Sequence, residues 1–387
     1  AGNTMVADTT ANTGAVTVDL TAPTVGIGTV ATDGYINSAE AGSFTITGTA
    51  FGANSQTVTV TYGGASETAT ISGSGTYTMT MCDDESCSHP SPATGALAAL
   101  TANVNDAAGN SATQATVNAW YDVTAPTTTI SGLDIATDTG SSATDFITNT
   151  ASQVLTATLS TALATGETLQ VSVNAGSTYS NDDHSTGDGT GVETAAVTLG
   201  AGTSSLKMRI VDLAGNAGSV LTQAYTLDTA ANTVSSFTQS DTTIASGQTT
   251  TLTLVFSEAV AGFASGDDIT CGTGSVATMT SGDQITWTGT FTPTGSTDDA
   301  TNVCALGTGY TDVAGTTGPA AQTANYDVDT VVPTSSWTSI SDTSLIEGET
   351  ATLTVVISEA GHSGFTNADI TCDNGAVAAL SVAGDGV

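Results

Sequence analysis

The feature that most constrains the fold of this chain is an internal repeat of roughly one hundred residues. One marker is an Asp followed four residues later by Pro, or once by Asn, and its copies are spaced by 103, 106 and 101 residues. These copies begin at Asp19, Asp122, Asp228 and Asp329. A second marker, Asp-x-x-Gly-Asn, begins at Asp106, Asp212 and, with Thr in place of Asn, Asp312. Repetition with this period indicates tandem copies of one domain.

Apolar and polar residues alternate with period two through the repeats, which is typical of β-strands with one buried face. Examples are residues 44–47 (FTIT), 57–62 (TVTVTY), 169–173 (LQVSV), 252–256 (LTLVF) and 353–357 (LTVVI). We therefore predict an all-β chain of tandem β-sandwich domains in an elongated string, with no helical domain. The predicted domains are residues 23–122, 123–228 and 229–331, with 1–22 as the last strand of a preceding domain and 332–387 as the first half of a further one.

The third and fourth copies align at a constant offset of 101 residues. Ser257-Glu258 matches Ser358-Glu359, and Asp268 matches Asp369. Because the fourth copy ends half built at this offset, we expect the chain to be a window from a longer repeat protein.

The chain carries 37 Asp and Glu side chains against Lys207 and Arg209 alone, which gives a formal net charge of −35. Nucleic acid is excluded as a natural partner, because binding phosphates needs clustered Lys and Arg. No apolar run approaches the roughly 18 residues of a membrane span, so we predict no membrane insertion by this segment.

Lys207 and Arg209 share one face of a predicted strand. They either pair with nearby surface acids or contact an acidic neighbouring molecule.

Three stretches carry a resemblance to a known family. They are residues 33–40 (DGYINSAE), 256–263 (FSEAVAGF) and 268–269 (DI). With the two Asp markers, they resemble bacterial Ig-like repeats of very large secreted cell-surface proteins, including type I-secreted (RTX-like) adhesins and surface-layer or surface-fibre proteins. The resemblance implies Ig-like sandwiches, an extracellular cell-surface location, a role as spacer or display stalk, and calcium at the inter-domain joints. The chain departs from the family in its five Cys, in Asn232 at a linker Pro position and in Thr316 at a loop Asn position.

The two Asp markers predict metal sites at the joints between domains. In an Ig-like sandwich the loop between the last two strands lies at the end where the chain enters, so each Asp-x-x-Gly-Asn loop should approach the linker Asp of the preceding copy. Carboxylate, amide and carbonyl oxygens in a flexible loop suit calcium, which takes about 6 to 8 oxygen ligands. The alternative is that the same residues only form turns. The predicted ligands are Asp19, Asp106, Asn110, Asp122, Asp212, Asn216, Asp228, Asp312, Asp327 and Asp329.

The cysteine content fits an exported protein. Cys271 and Cys304 lie 33 residues apart in one predicted domain and are expected to form a disulfide. Cys82 and Cys87 are expected to close a small ring, with zinc binding by both thiolates and a nearby His as the alternative. Cys372 aligns with Cys271, and its partner would lie past residue 387, so we expect a free thiol there.

Catalytic motifs are absent from the sequence, which contains no Gly-x-Ser-x-Gly, no His-Glu-x-x-His and no phosphate-binding Gly-Lys-Ser/Thr loop. The three His, at positions 89, 184 and 362, fall in polar segments and are expected to be exposed. We therefore predict that the chain is not an enzyme. We expect an extracellular structural or adhesive segment whose partners are further repeats of the same chain, other copies in homotypic self-assembly, or a cell surface or extracellular matrix.

The alternative function is that of a carbohydrate-binding or enzyme-accessory β-sandwich protein. Exposed Trp or Tyr platforms would indicate it, because a sugar ring stacks on an aromatic face. Trp120, Trp287 and Trp337 are instead expected in strand cores or at junctions.

Overall fold

The computed structural model describes residues 17–82, 93–184, 187–359 and 364–381. The chain divides into two compact units, residues 1–138 with 143–228, and residues 139–142 with 229–387. Within the described ranges the first unit holds two separate apolar cores and the second holds one. None of the helices in these ranges has the length and apolar character needed to cross a membrane.

The first sandwich occupies residues 24–121. Its strands are β1 (Thr24–Val30), β2 (Tyr35–Ile36), β3 (Ser43–Phe51), β4 (Thr57–Tyr62), β5 (Ala65–Thr70), β6 (Thr76–Cys82), β7 (Ala96–Val104) and β8 (Ala115–Tyr121). They form a three-stranded sheet in the order β1-β3-β6 and a five-stranded sheet in the order β2-β8-β7-β4-β5. In β4 the side chains of Val58, Val60 and Tyr62 are buried and alternate with three Thr that face outward. The two sheets close on one apolar core in this way.

The second sandwich occupies residues 130–227. Its strands are β9 (Ile130–Ile135), β10 (Ile147–Thr148), β11 (Ser152–Gln153), β12 (Leu155–Leu159), β13 (Thr168–Ser172), β14 (Ser180–Asn181), β15 (Gly191–Glu193), β16 (Val197–Thr198), β17 (Gly202–Val211) and β18 (Leu221–Leu227). The sheet orders are β15-β12-β9, β10-β18-β17-β13-β14 and β11-β16. Leu206, Met208 and Ile210 point from β17 into the core, so the residues between them face outward.

The second unit contains a third sandwich over residues 234–329. Its elements are β19 (Val234–Gln239), β20 (Thr243–Ala245), β21 (Thr250–Phe256), β22 (Val260–Ala261), α1 (Ser265–Asp268), β23 (Ile269–Cys271), β24 (Gly274–Val276), β25 (Thr286–Pro293), β26 (Asp298–Asn302), β27 (Cys304–Leu306), β28 (Thr311–Asp312), β29 (Ala321–Gln322) and β30 (Tyr326–Asp329). The sheet orders are β19-β21-β25-β24, β20-β30-β26, β23-β27-β29 and β22-β28. Its core is aromatic: Phe256 contacts Tyr310 at a ring-centroid distance of 5.0 Å, and Phe291 contacts Tyr326 at 5.4 Å.

The fourth copy begins with a hairpin of β31 (Ser335–Ile340) and β32 (Leu353–Ile357), followed by a 3-10 turn at Asn367–Asp369. In the hairpin Ser335 pairs with Ile357, and in the third sandwich Val234 pairs with Phe256. The strand pairing therefore repeats at the same offset of 101 residues as the sequence. The predicted all-β architecture is confirmed, since the one α-helix in the described ranges has four residues.

Three expected side-chain positions are wrong. Trp337 is 59% exposed, because every residue of β31 is exposed. Trp120 is 43% exposed, because the alternation in β8 turns Ala119 and Tyr121 into the core and Trp120 outward. His184 is only 8% exposed, and its backbone N–H donates to the Asp182 carboxylate at 3.1 Å in a local turn directly after β14. Positions 89 and 362, the other two His, lie outside the described residues.

Candidate metal sites at the repeat joints

The Asp-x-x-Gly-Asn loop between β7 and β8 closes on itself through its own side chains. Asp106, which is 6% exposed, accepts hydrogen bonds at Oδ1 from the backbone N–H groups of Ala108 (2.9 Å) and Asn110 (2.8 Å). Its Oδ2 accepts the Asn110 side-chain amide at 2.8 Å. This side-chain hydrogen bond is the largest cause of a lowered pKa for Asp106, because it stabilises the charged carboxylate. Gly109 supplies the left-handed φ of +91° that the turn requires.

The loop between β17 and β18 repeats this arrangement. Asn216 donates to Asp212 Oδ1 from its backbone N–H and to Asp212 Oδ2 from its side-chain amide, both at 2.9 Å. Each of the two Asn amides also donates to the backbone carbonyl of the linker Asp before its sandwich. The Asn110 amide reaches Asp19 at 3.1 Å. The Asn216 amide reaches Asp122 at 2.8 Å. The structure therefore brings each of these loops to the linker that the sequence indicates.

Two residues that the sequence reasoning missed complete the joint between the first and second sandwiches. The Ser38 backbone N–H donates to Asn216 Oδ1 at 2.8 Å, and the Asn37 amide donates to the Ala214 carbonyl at 2.9 Å. With these bonds, Asn216 is 3% exposed and uses its side-chain oxygen as well as its nitrogen. We call the hydrogen bonds of Asn216 with Asp122 and Ser38, and of Asn37 with Ala214, the clasp. The sequence feature that could have indicated the clasp is the pair Asn37-Ser38 inside the 33–40 stretch (DGYINSAE).

The third loop has the same backbone turn but lacks the amide. Asp312, which is 1% exposed, accepts the Thr316 backbone N–H at Oδ1 at 2.8 Å, and Gly315 has a φ of +93°. Asp312 Oδ2 and Thr316 Oγ1 are buried and have no hydrogen-bond partner among the described residues. Thr at this position has no amide to donate to the second carboxylate oxygen. The buried Asp312 Oδ2 therefore has no donor in the described part of the chain, whereas the equivalent oxygens of Asp106 and Asp212 each accept an Asn side-chain amide.

Three of the four linker Asp residues share one local pattern, in which the carboxylate accepts the backbone N–H two residues later. This holds for Asp19, Asp122 and Asp329, at 2.9, 3.0 and 3.2 Å. Asp228 and Asp327 donate their backbone N–H groups, at 2.9 and 2.8 Å, to carbonyls near the start of their own sandwiches. The carboxylate contacts match the turn-forming alternative, and the two backbone bonds continue the parallel pairing of β10 with β18 and of β20 with β30.

Calcium fits the three loops unequally. In the first two, the Asn amide nitrogen lies between the Asp Oδ2 and the linker carbonyl and satisfies both oxygens. Across the described ranges, no three His, Cys, Asp or Glu side chains are grouped so that they could hold a metal ion. In the third loop, Asp312 Oδ2 and Thr316 Oγ1 have no hydrogen-bond partner among the described residues. Because a buried carboxylate oxygen without a partner is costly, the third loop is the one whose oxygens suit a cation.

The predicted disulfide between Cys271 and Cys304 is confirmed, with an S–S distance of 2.02 Å. The two residues lie directly opposite each other where β23 pairs with β27, and Cys304 is fully buried. Cys372 carries a free thiol. The predicted pair Cys82–Cys87 lies outside the described residues, because Cys87 is not among them and only the backbone of Cys82 is described.

Several solved structures similar to this chain are bacterial adhesins. A 1.5-MDa bacterial ice-binding adhesin is 19% identical over 79% of this chain and 98% of its own, with a TM-score of 0.29. A Ca2+-stabilized adhesin with which an Antarctic bacterium binds ice is 22% identical over 83% of this chain and 78% of its own, with a TM-score of 0.31. FdeC, an Escherichia coli adhesin, is 15% identical over 78% of this chain and 97% of its own, with a TM-score of 0.32. Similarity at this level carries no argument about function.

The match to a protein-family model covers the third and fourth copies. No curated protein sequence matches the chain. Residues 228–328 and residues 329–387 each match the family model of the bacterial Ig-like domain. The two matched stretches coincide with the copies whose sequence and strand pairing repeat at an offset of 101 residues. Residues 228–387 of this chain are therefore similar to the bacterial Ig-like domain family.

Proposed function

We propose that the chain is an extracellular structural or adhesive repeat region, a stalk, fibre or surface-layer segment of a cell-surface protein, and not an enzyme. The clasp is the observation that carries this proposal. A buried Asn216 that bonds both to Asp122 and to Ser38 fixes how the second sandwich follows the first. A spacer needs such a defined joint, whereas a single binding module does not. The partners are further repeats of the same chain, other copies in homotypic self-assembly, and a cell surface or extracellular matrix.

Substituting Asn216→Ala in the full chain tests the joint. The substitution removes every side-chain bond of Asn216, so the Ser38 amide loses its acceptor and the Asp122 carbonyl loses its donor. We expect faster hydrogen exchange at the Ser38 amide and a broader small-angle scattering distance distribution. Thr222→Ala, on the exposed face of β18, is the matched control and should change neither quantity. Equal exchange at Ser38 in wild type and Asn216→Ala would contradict the proposal.

Calcium stiffens the joints in this proposal, and the third loop is its first binding site. Asp312 Oδ2 and Thr316 Oγ1 are buried oxygens without donors, and a calcium ion is coordinated by oxygen ligands. The surrounding surface favours cations, because the chain has a formal net charge of −35. In the first two loops an Asn amide already fills the corresponding position, so calcium would have to displace a hydrogen-bonded group there.

Calorimetry with and without calcium tests this assignment. At a free calcium concentration of one hundred times Kd, binding stabilises the folded state by about 2.7 kcal/mol. For a domain of this size, that corresponds to a Tm increase of roughly 10 °C or more. We expect the increase in the transition of the third sandwich, its loss in Asp312→Asn, and its persistence in the matched control Asp106→Asn. A melting profile that is unchanged after exhaustive chelation would refute it.

One observation favours carbohydrate binding as a second candidate function. Trp120 lies on the outer face of the first sandwich, opposite Leu97, which is 54% exposed, and beside Tyr35 of β2. A groove of about 270 Å³ lined by residues 28–30, 32–34 and 117–118 opens next to this row. An exposed indole beside a small open groove suits a neutral sugar ring. Trp120→Ala should abolish saccharide-dependent fluorescence changes that Trp337→Ala retains. Identical responses from both variants would exclude this site.

A further inference from the structure

The chain concentrates its Lys and Arg charge on one strand. Lys207 and Arg209 are the only Lys and Arg in 387 residues. They lie two positions apart in β17, so both side chains stand on the outer face of the sheet, while Leu206, Met208 and Ile210 fill the core. Against a formal net charge of −35, this face is a local reversal of sign.

The Arg209 guanidinium is held in place by neutral groups. Its Cζ lies 3.8 Å from the centre of the Tyr179 ring, and its Nε–H donates to Gln170 Oε1 at 2.9 Å. Gln170 is fixed in turn by a hydrogen bond from its amide to Asn181 Oδ1, also at 2.9 Å. These contacts use one of the five N–H donors of Arg209. The remaining donors are preorganised to bind a planar carboxylate.

The surroundings of Lys207 are neutral as well. Its cross-strand neighbours are Ser172 on β13 and Thr222 on β18. A Cβ placed on Gly176 would lie 3.3 Å from Lys207 Nζ and 3.2 Å from the Tyr179 hydroxyl, so the ammonium borders the same ring that holds the guanidinium. In the part of the chain that the structure describes, no carboxylate forms an ion pair with either cation. The expectation of pairing with local surface acids is therefore not met there.

We propose that this outer face of β13, β14 and β17, which we call the cationic face, docks a carboxylate-bearing surface of a second copy of the chain. Charge complementarity identifies the occupant, because each copy contains 37 acidic side chains, only a few of which are buried within the described ranges, and the cationic face has two adjacent cations without a carboxylate of their own. The face is part of a regular sheet, which suits an extended protein surface. At physiological ionic strength the Debye length is about 8 Å, so distant like charges are screened while contact pairs remain. This inference rests on the proposed homotypic self-assembly and names its surface.

Zero-length cross-linking of the full chain with a carbodiimide tests the inference. The reagent joins an amine to a carboxylate as an amide, so Lys207 is the only side chain of this protein that can supply the amine. An equimolar mixture of 14N- and 15N-labelled chains makes cross-links between copies visible as mixed-isotope peptides. Products of the α-amino group are separated from those of Lys207 by peptide mass mapping. Sedimentation velocity at low and high salt is run in parallel.

We expect mixed-isotope Lys207 cross-links that high salt suppresses. The pair Lys207→Gln with Arg209→Gln should raise the self-association Kd by about ten-fold or more. The charge-preserving variant Arg209→Lys is the matched control and should weaken association less. Self-association without Lys207 cross-links between copies would overturn the cationic face as the docking surface and leave homotypic assembly standing. Cross-links within one copy only would show local pairing and overturn it too. A chain that stays monomeric at every concentration would overturn both the docking surface and homotypic assembly.

Discussion

Substituting Thr316→Asn should give the third loop the amide that the first two loops already have. The backbone can accept the change, because Asp312 receives the Thr316 N–H at 2.8 Å just as Asp212 receives the Asn216 N–H at 2.9 Å. The new amide would donate to Asp312 Oδ2, which is buried and has no partner among the described residues. A hydrogen bond to a charged group contributes about 1.5 to 3 kcal/mol net.

Ordering the longer Asn side chain opposes part of that gain, by roughly 0.5 to 1 kcal/mol. We therefore expect the free energy of unfolding of the third sandwich to rise by about 1 to 2 kcal/mol in chelator. For a domain of this size, Tm rises by roughly 4 to 8 °C for each kcal/mol. Differential scanning calorimetry of the full chain measures this shift. The reciprocal variant Asn216→Thr should lower stability by more than this gain, because it also removes the Asn216 side-chain bonds to Asp122 and Ser38.

Calcium sharpens the test, because the new amide and a cation would occupy the same position beside Asp312. With calcium present, the difference between Thr316→Asn and wild type should shrink or change sign. Equal Tm of the two proteins in chelator would refute the hydrogen-bond reasoning. A stabilised variant that still responds to calcium as wild type does would place the ion elsewhere.

Three further outcomes are expected. Replacing both cysteines of the third-sandwich disulfide with Ala should destabilise that sandwich by about 3 to 4 kcal/mol, since the bond closes a loop with a sequence separation of 33 residues; urea titration measures this loss. Because the folded pKa of Asp106 is lowered, its contribution to stability is present above its ordinary value of 3.8 and is lost as pH falls through the folded pKa. Asn110→Ala removes the largest cause of that lowered pKa, so in urea titrations the free energy of unfolding should fall less steeply between about pH 5 and pH 2 than in wild type. An unchanged pH dependence would contradict this assignment. Gly48→Ala should destabilise the first sandwich by about 1 to 3 kcal/mol, because the added Cβ meets the Tyr77 ring, whereas Gly73→Ala, with open space around it, should be nearly neutral in thermal unfolding.

Much of the fold follows from features that act along the chain. The strand pairing of the third and fourth copies repeats with the sequence offset, because the two copies share the same alternation of Thr and apolar residues. The pair Cys271–Cys304 follows from its presence within one copy. The approach of Asn110 to Asp19 follows from the position of the last loop in this kind of sandwich.

Other features depend on geometry that local patterns do not encode. Trp120 is apolar enough for a core, but the phase of β8 is set by Ala119 and Tyr121. The clasp needs Asn37 to reach a carbonyl 177 residues away, and no short-range pattern specifies that distance. The same Asp and Asn residues can satisfy one another or bind an ion. That choice depends on which way an amide points, as the comparison of Asn216 with Thr316 shows.

The short second strand of each of the three sandwiches has a mechanical consequence. β2 runs parallel to β8, β10 runs parallel to β18, and β20 runs parallel to β30. In each case an early strand lies beside the strand from which the chain leaves the sandwich. Tension that draws the early strand from its amino end and the late strand from its carboxyl end slides the two along each other. The backbone hydrogen bonds between the two strands then carry the load together in shear, so they must break at the same time and not one after another.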